Sequence, residues 1–137
     1  MLSCGQVIPM PWVYTQSSGD LYRIFPITPI SLNRISVGYS GNGEGRNNYK
    51  MEAVKDVGPI PAGTYSVETP IDTSEHGPFV LPLTPNAKNT MFDRSGFLIH
   101  GDSVEAPGCA SKGCIIFQRI IRELIWQSGD HDLTVIR

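Results

Sequence analysis

Short runs of β-branched and aromatic residues recur along the chain, separated by clusters of Gly, Pro, Ser, Asn and Asp. Such side chains are favoured on pleated surfaces, and the intervening residues are those that form turns. Each run therefore predicts a strand, and the body of the protein is expected to be mostly β. The predicted strands lie at residues 11–15, 21–25, 34–39, 63–67, 79–83 and 97–100.

One segment, residues 115–127, follows a helical period instead. Its apolar and polar side chains separate onto two faces when they are spaced at about 3.6 residues per turn. The apolar face holds Ile116, Phe117, Ile120, Ile121, Leu124 and Ile125. This predicts an amphipathic helix that begins within a residue or two of Cys114 and ends at Gly129, before a final strand at 131–137. The expected fold class is mainly β with one or two helices.

The composition is that of one globular domain spanning residues 1–137. With 137 residues, 14 Gly and 11 Pro, the chain has the length of a single domain and a surplus of turn residues. Its net charge of −2 offers no basic surface, so nucleic acid is not an expected partner. No apolar run approaches the ~20 residues that span a bilayer, and residues 1–30 lack the pattern of a signal peptide. We expect a protein that is not membrane-embedded and is made without a leader.

The chain has an odd number of cysteines, so they cannot all form disulfides within it. Three Cys, at positions 4, 109 and 114, leave at least one thiol unpaired within the chain. Together with the three His they match no zinc-binding spacing, so a zinc site is not expected. Acyl transfer by a cysteine needs neither a metal nor a cofactor, so none is expected. Cys4 is interpreted as an ordinary N-terminal residue. We expect the thiols of Cys109 and Cys114 to be free, because a disulfide between them would silence a nucleophile at Cys114.

The candidate chemistry lies at His100 and Cys114. If the strand predicted at 97–100 stays extended, His100 and Asp102 project to one side. Cys114 follows a turn at the predicted helix start, where the helix dipole favours a reactive thiolate. An imidazole can take the thiol proton, and the N–H groups of Gly113 and Cys114 could hold an oxyanion. The competing interpretation is structural, since free Cys and His after apolar residues are also common in cores.

Two other histidines and one loop complete the candidates. His131 follows Cys114 in the chain, in the order of papain-like peptidases, and is the rival base. His76 lies in a Ser-Glu-His-Gly-Pro turn and is expected to be exposed. Residues 39–50 are polar and Gly-rich, so they predict a long exposed loop that forms either a substrate wall or merely a solvated connection.

The run IHGD…SKGCII resembles the active-site stretch of the L,D-transpeptidases, whose YkuD-type signature is a His followed, after a spacer, by Ser/Thr-His-Gly-Cys. The matching residues are His100, Ser111, Gly113 and Cys114. Lys112 stands where the signature has His, and Ile116 stands where it has Asn. The resulting Ser-x-Gly-Cys-Ile pattern is similar to that of L,D-transpeptidase effectors delivered by type VI secretion systems. The likeness extends upstream through Trp12-Val13-Tyr14, Tyr39-Ser40-Gly41, Asn47-Asn48 and residues 58–65.

The resemblance implies a YkuD-like β-sandwich or barrel with a helix following the catalytic Cys. It implies a cysteine-dependent L,D-transpeptidase or L,D-carboxypeptidase that acts on peptidoglycan stem tetrapeptides without a metal. Cys114 would attack the carbonyl of the meso-diaminopimelate that precedes the terminal D-alanine, with His100 as the base. Ser111 or Asp102 would orient the imidazole or contact substrate. The residues expected to bind substrate are Asp102, Tyr39, Ser40, Asn48 and Lys112.

The same resemblance implies a biological setting. The protein would be an antibacterial effector toxin, made in the cytoplasm, carried by the secretion apparatus and active in the periplasm of a target cell. A cognate immunity protein is an expected partner. The alternatives are a housekeeping L,D-transpeptidase and a noncatalytic peptidoglycan-binding domain, which the departures at Lys112 and Ile116 keep open.

Overall fold

The computed structural model of the protein describes residues 12–25 and 31–137. Cys4 and the first residue of the strand predicted at 11–15 lie outside these ranges. The strands are β1 (Trp12–Thr15), β2 (Asp20–Phe25), β3 (Ser31–Val37), β4 (Tyr39–Ser40), β5 (Gly63–Val67), β6 (Ile71–Thr73), β7 (Gly77–Pro85), β8 (Leu98–His100), β9 (Ile115–Ile116) and β10 (Asp132–Ile136). The helices are α1 (Arg119–Gln127) and two short 3-10 helices, Gly43–Gly45 and Tyr49–Met51.

The strands form one hydrogen-bonded path in the order β3-β2-β1-β10-β5-β7-β8-β9-β4, with β6 paired to β7. Most neighbours are antiparallel, but β1 and β10 run parallel, as do β8 and β9. The long β7 connects the two halves of the path, since it pairs with both β5 and β8. Over the described residues the fold is therefore mainly β with a single α-helix, as predicted. The sandwich or barrel architecture remains an expectation.

Side chains of the central strands and of α1 build the core. The fully buried large residues include Trp12, Tyr14, Tyr65, Leu81, Ile99, Ile115, Ile125 and Leu133. Ile99 of β8 and Ile115 of β9 are register partners, so the two strands that flank the candidate site are anchored in this core. No helix in the described ranges is long and apolar enough to cross a membrane.

The helix predicted from residue 115 begins later, at Arg119. Ile115 and Ile116 instead form β9, where both side chains are buried. A short apolar run fits either period, and β-branched residues that can pair with a neighbouring buried strand adopt the extended form. The expectation that Cys114 sits at a helix N-terminus is therefore wrong.

The loop predicted at 39–50 is more ordered than expected. It contains β4, which pairs with β9, and the two 3-10 helices. Tyr39 and Ser40 are buried, at 5% and 0% exposure. This segment is consequently part of the support beneath the candidate site rather than a solvated connection.

Candidate active site

Cys114 and His100 come together because their strands are neighbours. His100 ends β8, Cys114 immediately precedes β9, and the parallel register pairs Ile99 with Ile115. Both side chains line one cleft of about 220 Å³, here called the Cys114 cleft. Its charged or titratable lining also includes Asp56, Glu75, His76 and Lys112. The two residues singled out from the sequence thus share one cavity.

The His100 imidazole is oriented by a backbone group. Its Nδ1 lies 2.8 Å from the carbonyl oxygen of Gly101. Because a carbonyl only accepts hydrogen bonds, Nδ1 carries the proton and Nε2 keeps the lone pair of a base. Burial lowers the pKa of His100, which is 2% exposed, so the ring is neutral at rest. Neither Ser111 nor Asp102 has a hydrogen bond to this ring, so the predicted orienting role belongs to Gly101 instead.

The Cys114 thiol is also neutral at rest. Burial raises its pKa, and the charge of Glu75 acts in the same direction. A backbone hydrogen bond from Leu98 and the charge of Arg94 oppose this rise but do not cancel it. A preformed thiolate is therefore not present, and the thiol needs a base to become a nucleophile.

Ser111 shapes the turn that carries Cys114. Its Oγ accepts the backbone N–H of Gly41 at 2.8 Å and of Gly113 at 3.0 Å, and donates to the carbonyl of Cys114 at 2.6 Å. Ser111 is 1% exposed. All the hydrogen-bonding capacity of this hydroxyl is used inside the protein, so Ser111 acts on the shape of the turn.

Gly113 is required by the same turn. Its φ is +128°, and a Cβ there would lie 2.5 Å from Nη2 of Arg94. Its N–H already donates to Ser111, so the predicted pairing of the Gly113 and Cys114 N–H groups as an oxyanion hole is wrong for Gly113 in this geometry. Cys114 is left as the candidate donor at this turn.

Ser40 and Asn48 do not contact the Cys114 cleft. The buried Ser40 Oγ donates to the carbonyl of Gly113 at 2.8 Å and accepts the N–H of Ile60 at 2.8 Å. Asn48 caps the second 3-10 helix by accepting the N–H of Lys50. Ser40 is enclosed and Asn48 lies in the supporting loop, so their predicted substrate-binding role gains no support from this cleft and stays a prediction.

Tyr39 and Asp102 fasten the segment that follows β8. The Tyr39 hydroxyl donates to Asp102 Oδ1 at 2.7 Å and accepts the N–H of Ala110 at 2.9 Å. Burial and this bond to Asp102 raise the pKa of Tyr39 to about 12, so the phenol remains a donor. The Asp102 carboxylate also accepts the N–H groups of Ser103 and Gly108. The buried Tyr39 hydroxyl thus has a structural role, whereas the carboxylate of Asp102 stays exposed.

Similarity to known proteins places the chain in a family. The model of the family described as "Tlde1 domain" matches residues 34–135. The chain belongs to the Tlde1 domain family. This family comprises type VI secretion effectors.

The fold of the Tlde1 domain is similar to that of Bd1075 from Bdellovibrio bacteriovorus, with a TM-score of 0.61 at 12% identity. The match covers 93% of this chain and 48% of Bd1075, so the chain spans about half the length of that protein. At this identity the similarity shows the fold alone. No curated protein matches the sequence.

Two residues of the Tlde1 domain site could not be found from the sequence. Arg94 is 6% exposed, and its guanidinium donates to the backbone carbonyls of Glu52, Pro59, Gly58 and Lys112. His76 was expected to be exposed, but its ring stacks on His100 with centroids 4.0 Å apart. Both contacts join segments that are distant in the chain, and neither residue lies in a recognisable motif. In the sequence, the only sign that Arg94 has a role is its charge, for which no nearby residue is an obvious partner.

The remaining predicted residues divide between the Tlde1 domain cleft and its surroundings. Lys112 is exposed and lines the Cys114 cleft. His131 stacks on Trp126, with centroids 4.2 Å apart, and does not line that cleft. Cys109 is a free, exposed thiol on a second cavity of about 600 Å³, here called the Cys109 chamber. In the described ranges no three metal-ligating side chains gather into a site.

Proposed function

We propose that this Tlde1 domain is a cysteine enzyme that acts on peptidoglycan stem tetrapeptides. It would remove the terminal D-alanine as an L,D-carboxypeptidase, exchange it for another D-amino acid, or form cross-links as an L,D-transpeptidase. One observation supports this most strongly: Cys114 and His100 line a single cleft, and the Gly101 carbonyl leaves Nε2 of His100 free to act as a base.

The chemistry proceeds by acyl transfer through Cys114. Nε2 of His100 takes the thiol proton, and the sulfur attacks the carbonyl carbon of diaminopimelate. The backbone N–H of Cys114 stabilises the oxyanion that forms. The tetrahedral species collapses to a thioester when His100 returns the proton to the leaving D-alanine amine. Water or an amine then attacks the thioester, His100 takes its proton, and the thiol is regenerated.

Lys112 is suited to bind the end of the substrate. Lys112 is exposed, lines the Cys114 cleft and lies two positions before Cys114 in the chain. A free α-carboxylate is the group that distinguishes a terminal D-alanine from an internal residue. A cation beside the scissile bond therefore favours substrates whose last residue is the leaving group.

The activity is tested on defined muropeptides. The Tlde1 domain is incubated with a disaccharide tetrapeptide, with and without a free D-amino acid, and the products are read by mass. We expect tripeptide, plus an exchanged tetrapeptide when the D-amino acid is present, and loss of both in Cys114→Ala. His100→Ala should reduce the rate by about 10²–10⁴-fold, as removal of a general base does, while His131→Ala leaves it unchanged.

Retained trimming by the Cys114→Ala variant would rule out the proposed nucleophile. Binding of muropeptides without any turnover by the unmodified domain would instead favour the noncatalytic binding module. Greater loss of activity in His131→Ala than in His100→Ala would transfer the role of base to His131.

The effector setting follows from the family, and its details are part of the proposal. The domain would act in the periplasm of a target cell, on stem peptides, and would be neutralised there by an immunity protein. Directing it to the periplasm of a susceptible bacterium should then impair growth or cell shape, and the Cys114→Ala variant should not. Normal growth with the unmodified domain would count against toxicity.

A further inference from the structure

The side chain of His76 has no role in the proposed acyl transfer, yet it lies directly against the base. The two imidazole rings stack with centroids 4.0 Å apart and an interplanar angle of 26°. His76 lies in the turn between β6 and β7, where its backbone N–H donates to Thr73 Oγ1 at 2.8 Å. The stack therefore joins this turn to the end of β8.

His76 forms the outer layer of this pair. The His100 residue is 2% exposed, whereas 23% of the His76 side chain is exposed. Water that reached this face of the His100 ring would have to displace the His76 ring. Glu75, His76 and His100 line both the Cys114 cleft and the Cys109 chamber, so the stack lies where the two cavities adjoin.

We propose that His76 is a positioning residue for His100, whose ring covers one face of the base, fixes its plane and keeps water away from it. The effect of His76 on catalysis rests on the proposed function. The effect of His76 on the protonation of His100 does not rest on it, and it can be measured even if the protein shows no turnover.

The charged and titratable groups around His100 give the sign of the effect. Burial is the largest influence and lowers the pKa of His100, and the charges of His76 and Arg122 act in the same direction. Glu75 and the bond to the Gly101 carbonyl oppose them. Arg122 comes from α1 and Glu75 from the β6–β7 turn, while Cys114 and Lys112 face the same cleft from the turn before β9. Removing the His76 ring readmits water and removes the charge interaction with His76 that lowers the pKa of His100, so both changes raise that pKa.

The test compares His76→Ala, which removes the cover, with His76→Phe, which keeps a ring. The matched control is His131→Ala, because His131 also stacks on an aromatic ring, that of Trp126, but outside the Cys114 cleft. The titration of His100 is followed by NMR of its ring nitrogens in each variant of the 137-residue chain. We expect a higher pKa of His100 in His76→Ala and an unchanged titration in His131→Ala. His76→Phe keeps the ring cover and loses only the charge of His76, so the pKa of His100 should rise less than in His76→Ala.

Kinetics provide the second readout. In His76→Ala the acid limb of the pH profile of kcat/KM should move to higher pH. The plateau value of kcat should fall by about ten- to a hundredfold, because the His100 ring is no longer held in its orientation. KM should change little. Should His76→Ala fail to fold, His76→Gln replaces it, since it also lacks an aromatic ring.

An unchanged His100 titration in the ring-less variant would overturn the proposal. So would a shift of equal size in His76→Phe, because the cover would then be irrelevant. If the unmodified domain shows no turnover, the proposed function fails while the NMR titration still decides the role of His76.

Discussion

The connection between β8 and β9 has two halves that are built differently. Residues 111–114 form a turn in which Ser111 is 1% exposed and bonded on every side to backbone groups. Residues 102–110 form an exposed loop, in which Val104 is 96% exposed. The first half holds Cys114, and the second is fastened mainly through the Tyr39–Asp102 bond. The turn that carries the Cys114 sulfur is therefore fixed by buried hydrogen bonds, whereas the adjoining loop is exposed to solvent.

The largest effect on the Cys114 turn is expected from removing Arg94, which donates to the carbonyl of Lys112 in that turn. Arg94→Leu deprives four backbone carbonyls, including that of Lys112, of their donor. A buried acceptor without a donor costs about 1–3 kcal/mol, so we expect the free energy of unfolding to fall by about 3–5 kcal/mol. Denaturant unfolding measures it. The control Arg119→Leu removes an exposed pair with Glu123 and should cost at most about 1 kcal/mol; equal losses in both variants would contradict the assigned role.

Removal of the Ser111 hydroxyl has a smaller effect on stability and a specific effect on the nucleophile. Ser111→Ala leaves the buried N–H groups of Gly41 and Gly113 without an acceptor, and we expect the free energy of unfolding to fall by about 2–3 kcal/mol. A shifted turn should also lower kcat by about tenfold or more. Ser103→Ala is the matched control, since Ser103 Oγ accepts only the Ala106 N–H in the exposed loop. If Ser103→Ala impaired turnover as much, the two halves would not differ as described.

The smallest expected effect is confined to the loop. Burial alone raises the pKa of Asp102, but hydrogen bonds from Tyr39, Gly108 and Ser103 outweigh it and leave the pKa below its ordinary value. A lowered carboxyl pKa gives stabilisation that is complete above the unfolded value of about 3.9 and is lost as pH falls through the folded value.

Tyr39→Phe should therefore release the loop at a less acidic pH while the Cys114 turn stays intact. The Gly108 amide shift in NMR reports the loop across a pH series, and the rate of Cys114 alkylation reports the turn. The midpoint of the amide shift should move upward in the variant, with alkylation unaltered. A coincident change in alkylation would mean that loop and turn move as one unit.

Much of the scaffold was predictable because its signals are local. The strand predicted at 63–67 matches β5 (Gly63–Val67), and the strands around His100 and at the end of the chain differ from prediction only at their ends. The motif that pairs His100 with Cys114 in the sequence corresponds to two residues that line one cleft. These features depend on side-chain alternation and turn residues, which a sequence displays directly.

The details of the site depend on contacts that no local pattern records. The predicted start of α1 is too early because Ile115 and Ile116 fit a helical and an extended pattern equally well. Their pairing with β8 makes them a strand. The group that orients His100 is the Gly101 carbonyl, which any residue would supply. Ser40 supports the turn from a position far away in the chain, so its role appears only when β4 is seen beside β9.

The protonated state of Cys114 also bears on survival of the protein under oxidative stress. Peroxide and other electrophiles consume thiolates much faster than thiols. A partly buried thiol whose pKa is raised stays protonated and is largely spared such damage. The exposed Cys109 has no comparable burial, so oxidants would reach its thiol before that of Cys114.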